Sequence, residues 1–397
     1  MMALNNDSLR ARIDGVQKLA LGVGVVGAIG AGAGWSMDPT EFFRSYLLAF
    51  LFWMAFPLGC LGLTLVHTLT GGKWGISVRR VHHAGMRTLP LTALFFIVVG
   101  IGLHQLYEWS HLDVVAADPI LTHKSLYLNA KGFYIRAVLY FALWIGYAYV
   151  LSARHDHYER TRDERYARTT RNLAGVGTLL FVLSVTFAVT DWAMSLEPHW
   201  FSTIYGVMFV VGQGLSTMAF TIVMCAWLAK SAPYSAIMQT KRYHDLGKLM
   251  FAFTLLWGYV TLSQFLIIWS ANLPEETPWY MHRGYTSWRA ILVFLLTCHF
   301  ALPFLILLSR KVKQNPALVS KIALFILMMR FVDMSWLIVP AFHTEGFHFH
   351  WLYLATPAAM GGLWVAYFMH QLKGRLASAP ADTYLERSLE LAPSHGH

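Results

Sequence analysis

The sequence predicts an all-α membrane protein with ten transmembrane helices, arranged as two four-helix bundles and two flanking helices. Three observations lead to this prediction. Hydrophobic residues make up 56% of the 397 residues and charged residues only 13%, against about 25% in an ordinary soluble domain. The apolar residues fall into ten runs, each long enough to cross a bilayer, which takes about 20 helical residues. Lys and Arg are concentrated in every second connection between the runs.

The apolar runs fix the predicted spans. A chain that crosses lipid must satisfy its own backbone hydrogen bonds, and the sequence shows long continuous runs instead of short alternating segments, so each run is expected to be a helix. The predicted spans are residues 19–35, 45–66, 89–106, 133–151, 173–191, 204–228, 249–270, 288–308, 318–339 and 351–370.

Polarity divides the chain into three parts. Residues 1–18 and 373–397 carry too many polar side chains to enter lipid, and we expect them to be cytoplasmic segments. Residues 19–372 form the membrane domain, with one bundle at about 45–191 and the other at about 204–339. The connections are too short for a soluble catalytic domain, so any chemistry takes place in the membrane, at its surface or on a partner.

Two local patterns concern the packing of the helices. A faint similarity between residues 104–110 and 264–270, four spans apart, fits a parallel repeat of the two bundles. Small residues in the first span predict a smooth stripe that another helix can approach closely. The stripe is Ala20, Gly24, Ala28 and Gly32.

The distribution of charge predicts the orientation. Most of the 31 Lys and Arg residues lie in connections on one side, including the Arg-rich segment 152–172, whereas the opposite connections hold acidic residues such as Glu197 and Glu275. Under the positive-inside rule both termini are cytoplasmic, and we expect the bacterial inner membrane. The net charge of +10 then reflects topology and does not indicate nucleic-acid binding.

The sequence does not predict a metal or redox cofactor held by this chain. Cys60, Cys225 and Cys298 are isolated in apolar runs, without the spacing of an iron–sulfur, c-type haem or zinc site. The histidines also lack an obvious pair at matching depth on facing spans for a b-type haem, because His104 lies near the outer end of its span and His299 near the middle.

Ionisable residues inside the spans are the strongest functional candidates, because they are costly in lipid and usually face a polar interior. Arg330 and Asp333 lie three positions apart, on one face of a helix, and can neutralise each other. His299 lies at mid-membrane and Gln264 is a polar neighbour. We expect a proton path through these residues; a purely structural ion pair and a satisfied core histidine are the alternatives.

His104 and Asp191 both approach the outer ends of their spans. We expect them to meet in one pocket, where Asp191 orients the imidazole and His104 accepts a proton from a quinol. Both residues are therefore candidates for the proton path and for quinone binding. Anchoring at the membrane surface explains Asp191 equally well.

Several sequence blocks resemble the polysulfide reductase/NrfD-type membrane subunits, and most closely the smaller of the two such subunits in alternative complex III, a bacterial quinol:cytochrome c oxidoreductase. The similarity covers about residues 191–340, and the predicted topology agrees elsewhere. The blocks are residues 191–206, 246–253, 263–265, 269–276 and 302–304.

This resemblance implies a ten-helix subunit with two four-helix bundles. It implies as partners a larger NrfD-type sibling, an iron–sulfur/molybdopterin-like subunit and multihaem c-type cytochromes, together with membrane lipids. It also implies menaquinone or ubiquinone as the redox substrate of the complex, and a role for this subunit in proton translocation or quinone interaction. Two other functions stay open: a quinone-binding subunit that passes electrons to an iron–sulfur partner, and a secondary transporter.

Overall fold

Long α-helices form nearly all of the part of the chain that the structure, a computed structural model, describes: residues 6–161, 163–231 and 234–377. Ten helical segments are long and apolar enough to cross a membrane, as predicted. The main helices are α1 (Asn6–Met37), α2 (Pro39–Thr70), α3 (Lys73–Met86), α4 (Leu89–Ile101), α5 (Ala130–Thr161), α6 (Glu164–Trp192), α7 (Tyr205–Leu228), α8 (Thr240–Ala271), α9 (Trp288–Leu308), α10 (Pro316–Ile338) and α11 (Leu352–Ala377).

The helices pack as two groups around a shared centre. In the first group α2 contacts α3, α4 and α6, and α5 contacts α4 and α6; in the second group α7, α8, α9 and α10 pack together. Helices α2 and α7 lie against each other and are the most deeply buried spans, so they join the two groups. Helices α1 and α11 pack on one another and dock against α2.

The third span differs from its predicted form. Residues 67–88 were expected to be a connection, but α3 occupies most of this segment and ends just before α4, with a turn at Arg87 and Thr88. Val78 and Val81 of α3 are fully buried against the first group. Helix α3 itself carries Lys73, two Arg and two His residues, and these lower its hydropathy, which is why it was not among the predicted spans.

The ends of the membrane domain also continue beyond the predicted boundaries. Helix α1 already begins at Asn6 and α11 continues to Ala377, and Lys373 joins Asp14 at 2.6 Å between the two helices. Both helices therefore continue beyond their apolar runs into segments that carry polar side chains. The remainder of the predicted C-terminal segment, residues 378–397, lies outside the described residues.

Helices α1 and α11 approach each other closely enough that their backbones touch. A Cβ atom on Gly27 would lie 2.4 Å from the backbone nitrogen of Ala359, and one on Gly24 would lie 2.8 Å from that of Leu363. The predicted stripe is thus confirmed at Gly24, whereas Gly32 lies outside this contact, since a Cβ atom there would meet nothing within 4 Å. The contact follows Gly24 and Gly27 because the two helices meet at an angle that the sequence does not specify.

We expect Gly27→Val to destabilise the chain, because the added side chain must push α1 away from α11. Overpacking of this kind costs about 1–3 kcal/mol. Gly32→Val is the matched control, since it introduces the same branched side chain in the same helix where space is open. Thermal unfolding of the full chain in detergent should show a lower Tm for Gly27→Val alone. Equal Tm values for the two variants would contradict the close approach.

Candidate functional site

A buried ion pair joins Arg330 and Asp333 on α10, as the sequence predicted. The residues are 2% and 3% exposed, and the Arg330 guanidinium donates a hydrogen bond to the Asp333 carboxylate. Trp257 of α8 donates from Nε1 to the same carboxylate at 3.2 Å, and Arg330 donates to Ser216 of α7 at 3.3 Å. The pair therefore ties three helices together in the interior of the second group.

A glycine on α7 makes room for the guanidinium. A Cβ atom on Gly212 would lie 2.1 Å from Nη2 of Arg330 and 2.8 Å from its Cζ. The neighbouring Gln213 is also buried, and neither atom of its amide has a hydrogen-bond partner among the described residues. A buried polar group without a partner is costly unless it meets water. The Gln213 amide can therefore form hydrogen bonds with water or another small polar molecule.

His299 lies beside the ion pair in an unusual stretch of backbone. Residues Leu295–Ala301 of α9 form a π-helix, a distortion that is frequent at functional sites. The His299 ring is fully buried and stands edge-on to Trp257, with 4.3 Å between ring centroids. Neither ring nitrogen has a hydrogen-bond partner among the described residues. One side chain, Trp257, therefore contacts both His299 and Asp333.

Gln264 and a second ion pair lie towards the membrane face opposite the Arg-rich connection 163–172. Gln264 is buried two turns beyond Trp257 on α8, next to the Tyr280 hydroxyl. Arg283, fully buried, donates to Glu197 at 2.8 Å and to the Leu337 carbonyl of α10 at 3.0 Å. The charges of Arg283 and His282 outweigh burial, which acts in the opposite sense, and lower the pKa of Glu197.

The Glu197–Arg283 pair was missed from the sequence, where residues 192–200 suggest only a rigid interfacial turn. Its two members are 86 positions apart, so no local spacing indicates it. Tyr205, fully enclosed at the start of α7, lies within electrostatic range of both Glu197 and Asp333. Polar groups thus continue from the central pair towards the opposite face.

Asp191 belongs to a separate site in the first group of helices. Its buried carboxylate receives three hydrogen bonds from Arg136 of α5, at 2.8, 2.9 and 3.2 Å, and one from Tyr140 at 2.9 Å. Bidentate arginine–carboxylate pairs are strong and geometrically specific. The sequence pointed to Asp191 as costly in lipid, but it did not point to Arg136, which lies near the end of another span.

The expected pocket shared by His104 and Asp191 does not form. His104 is exposed, its Nδ1 lies 3.0 Å from the Ser110 hydroxyl, and its ring lies beside that of His111. The short helix Leu103–Leu106 follows α4 after a break at Gly102. His104 and Asp191 therefore have different hydrogen-bond partners in this structure.

Three histidines near the Arg-rich face form a group that the sequence analysis did not single out. Nε2 of His83 lies 3.1 Å from Nδ1 of His155, and Nε2 of His155 lies 3.2 Å from the Thr68 hydroxyl. His82 lies 3.0 Å from the hydroxyl of Thr221 on α7. The consecutive His82 and His83 were the available signal, but residues 67–88 were expected to lie outside the membrane.

A cavity of about 360 Å³ opens next to these histidines. Its lining combines cationic, imidazole and hydroxyl groups from α2, α3, α5 and α6, so water can reach His155 from the Arg-rich face. The polar side chains that line it include His67, Thr68, Arg79, His155, Glu164 and Arg171.

Comparison with known proteins gives no further identification. No protein-family model matches the chain, and no curated protein matches it. The fold defines a multi-pass membrane protein with ten apolar helices. The resemblance to NrfD-type subunits depends on the sequence blocks alone and stays a prediction.

We expect Gly212→Ala to destabilise the chain, because the new methyl group must displace the Arg330 guanidinium from Asp333. Gly146→Ala on α5 is the matched control, since a Cβ there meets nothing within 4 Å and alanine favours a helix by roughly 0.5–1 kcal/mol over glycine. Thermal unfolding in detergent should give a lower Tm for Gly212→Ala and an unchanged or higher Tm for Gly146→Ala. A Gly212→Ala chain as stable as the control would show that Arg330 does not depend on this space.

Proposed function

We propose that the chain is a membrane subunit of a bacterial quinol:electron-acceptor oxidoreductase complex and that it conducts protons through the second group of helices. The observation that carries this proposal is the contact of the buried Arg330–Asp333 pair, through Trp257, with the His299 imidazole, whose nitrogens have no hydrogen-bond partner within the part of the chain that the structure describes. Intramembrane charges of this kind usually mark a transport or proton path.

Helix α7 supplies polar groups between the Arg-rich face and the ion pair. Thr221, next to His82, and Ser216, next to Arg330, are both buried on this helix, and Thr217 lies between them. Hydroxyl groups can both accept and donate a proton, which suits them to a relay. A proton entering from the cavity would pass the histidines of α3 and α5, then these hydroxyls, and reach Asp333.

Several steps in this series lack a direct hydrogen bond between side chains, and Ser216 is hydrogen-bonded to Arg330 instead of Asp333. Neither His83 and His82 nor Thr221 and Ser216 bond each other; Thr221 and Ser216 instead donate to backbone carbonyls of α7. Water would complete these steps, as it does in many polar interiors. Beyond Asp333, Tyr205 and the Glu197–Arg283 pair continue the series towards the opposite face.

Under this proposal the electrons are handled by partner subunits. The larger NrfD-type sibling, the iron–sulfur/molybdopterin-like subunit and the multihaem cytochromes are proposed from the sequence resemblance. Quinol binding to this chain at Asp191 is the weaker alternative, because four hydrogen bonds from Arg136 and Tyr140 already occupy that carboxylate. The large apolar side chains exposed on α8 and α9, including Tyr259, Trp269 and Leu305, offer surfaces to lipid or to such partners.

We expect Asp333→Asn in the assembled complex to lower the number of protons released per quinol while quinol oxidation continues. The neutral amide can still accept the Trp257 hydrogen bond but cannot carry a proton in the same way. Proton release from reconstituted vesicles during turnover measures the effect. The control is Asp113→Asn, which changes an exposed carboxylate near the face opposite the Arg-rich segment.

Loss of assembly must be separated from loss of conduction. Removing one partner of a buried pair costs about 3–5 kcal/mol because the other charge is left uncompensated. The double variant Arg330→Met with Asp333→Asn removes both charges and restores neutrality, so it tests the path if the single variant does not assemble. Full proton release by either assembled variant would remove Asp333 from the path.

A further inference from the structure

A glutamate and two histidines converge at the membrane face opposite the Arg-rich connection, outside the path described above. Glu41 lies in the first turn of α2, and His343 and His348 lie in the connection between α10 and α11. One ligand atom from each residue lies within 4.8 Å of the other two, and Oε1 of Glu41 is 3.0 Å from Nε2 of His343. We propose that these three residues bind one divalent transition-metal ion, with Zn²⁺ as the ion that the donor set fits best.

The spacing of the donor atoms suits a single ion. Histidine nitrogens and carboxylate oxygens bind zinc at about 2.0–2.2 Å, which places neighbouring ligand atoms of a tetrahedral site about 3.4 Å apart. Oε1 of Glu41 and Nε2 of His343 are already 3.0 Å apart, and all three ligand atoms lie within 4.8 Å of one another, so side-chain rotations are needed to bring the third ligand into place. Two imidazoles and one carboxylate are borderline ligands that suit zinc and similar transition metals, and they do not suit calcium or magnesium.

The rings of His343 and His348 are stacked on each other, 4.1 Å apart between centroids and with 18° between their planes. Among the described residues His348 makes no hydrogen bond, so its ring nitrogens are available to an ion. A cation bound by both imidazoles would be compatible with this arrangement.

The backbone around the two histidines is anchored, so the site is partly preorganised. Trp288 at the start of α9 donates from Nε1 to the His343 carbonyl at 3.0 Å, and the Phe347 backbone N–H donates to Ser287 Oγ at 2.6 Å. On the other side, Asp38 caps α2 by accepting from the Glu41 N–H at 3.0 Å. An ion at this point would tie the α10–α11 connection to the start of α2.

The surroundings of the carboxylate orient it and also supply a competitor. The Tyr353 hydroxyl donates to Oε2 of Glu41 at 3.1 Å, which leaves Oε1 directed at His343. Arg44 donates to the same Oε1 at 2.7 Å. Its side chain is 25% exposed and also lies over the Phe342 ring, so it can leave the carboxylate when an ion binds. A cavity of about 500 Å³ lined by residues 342–348 gives the ion access from solvent.

Metal binding to the purified full chain in detergent tests this proposal, with a purification tag that contains no histidine. Co²⁺ serves as a spectroscopic probe, Zn²⁺ competes with it, and metal content after dialysis gives the stoichiometry. We expect one Zn²⁺ per chain, and at least a tenfold loss of affinity in His343→Ala and in His348→Ala. His123→Ala, at an exposed histidine in the short helix Pro119–Lys124, should bind like the unmodified chain.

Arg44→Gln distinguishes a metal site from a purely structural network. Removal of the competing guanidinium should tighten Zn²⁺ binding, whereas it can only weaken a network of hydrogen bonds around Glu41. The Arg44→Gln variant also leaves all three ligands in place, so it remains informative if the alanine variants do not fold. Absence of retained metal in the unmodified chain, or unchanged affinity in both histidine variants, would overturn the proposal.

Discussion

The buried ion pair between Arg330 and Asp333 is the constraint on which the second group of helices depends. Two charges in a membrane interior are tolerated only when each is paired and its remaining hydrogen-bonding capacity is largely satisfied. Here Ser216 and Trp257 provide that satisfaction from two neighbouring helices, and Gly212 provides the space. The relative positions of α7, α8 and α10 are therefore fixed by polar contacts as well as by apolar packing.

The same constraint explains the local irregularities around the pair. Ser216 is a buried hydroxyl in the middle of α7, in contact with Arg330, and α9 adopts a π-helix at the position of His299. An α-helix would rotate His299 relative to Trp257, because a π-helical turn shifts the register of the side chains. These departures from ideal membrane helices lie close to one another, as expected for a site under functional constraint.

Much of the fold could be predicted from the sequence, because membrane spans follow from length and hydropathy. The pairing of Arg330 with Asp333 could also be predicted, since residues three apart on one helix must lie on one face. Contacts between different helices could not be predicted from the sequence. The partner of Asp191 is Arg136, on another helix, and helix rotation leaves no trace in spacing along the chain.

The wrong prediction for His104 and the failure to single out His82 and His83 both arise because contacts between helices are not encoded in hydropathy. His104 was expected to face Asp191, but it is exposed and contacts Ser110. His82 and His83 were overlooked because α3 is polar, although it is buried by neighbouring helices instead of lipid. Hydropathy reports transfer into lipid, and it says little about segments that are enclosed by protein.

Proton conduction through the second group of helices requires water around the Arg330–Asp333 pair, and high-resolution electron cryomicroscopy of the assembled complex can detect that water. We expect ordered water next to His299 and Gln213, and between Thr221 and Ser216. Density showing that these groups contact only apolar side chains, with no water from the histidine cavity to Asp333, would rule out the proposed proton path. The ion pair would then be a structural element alone.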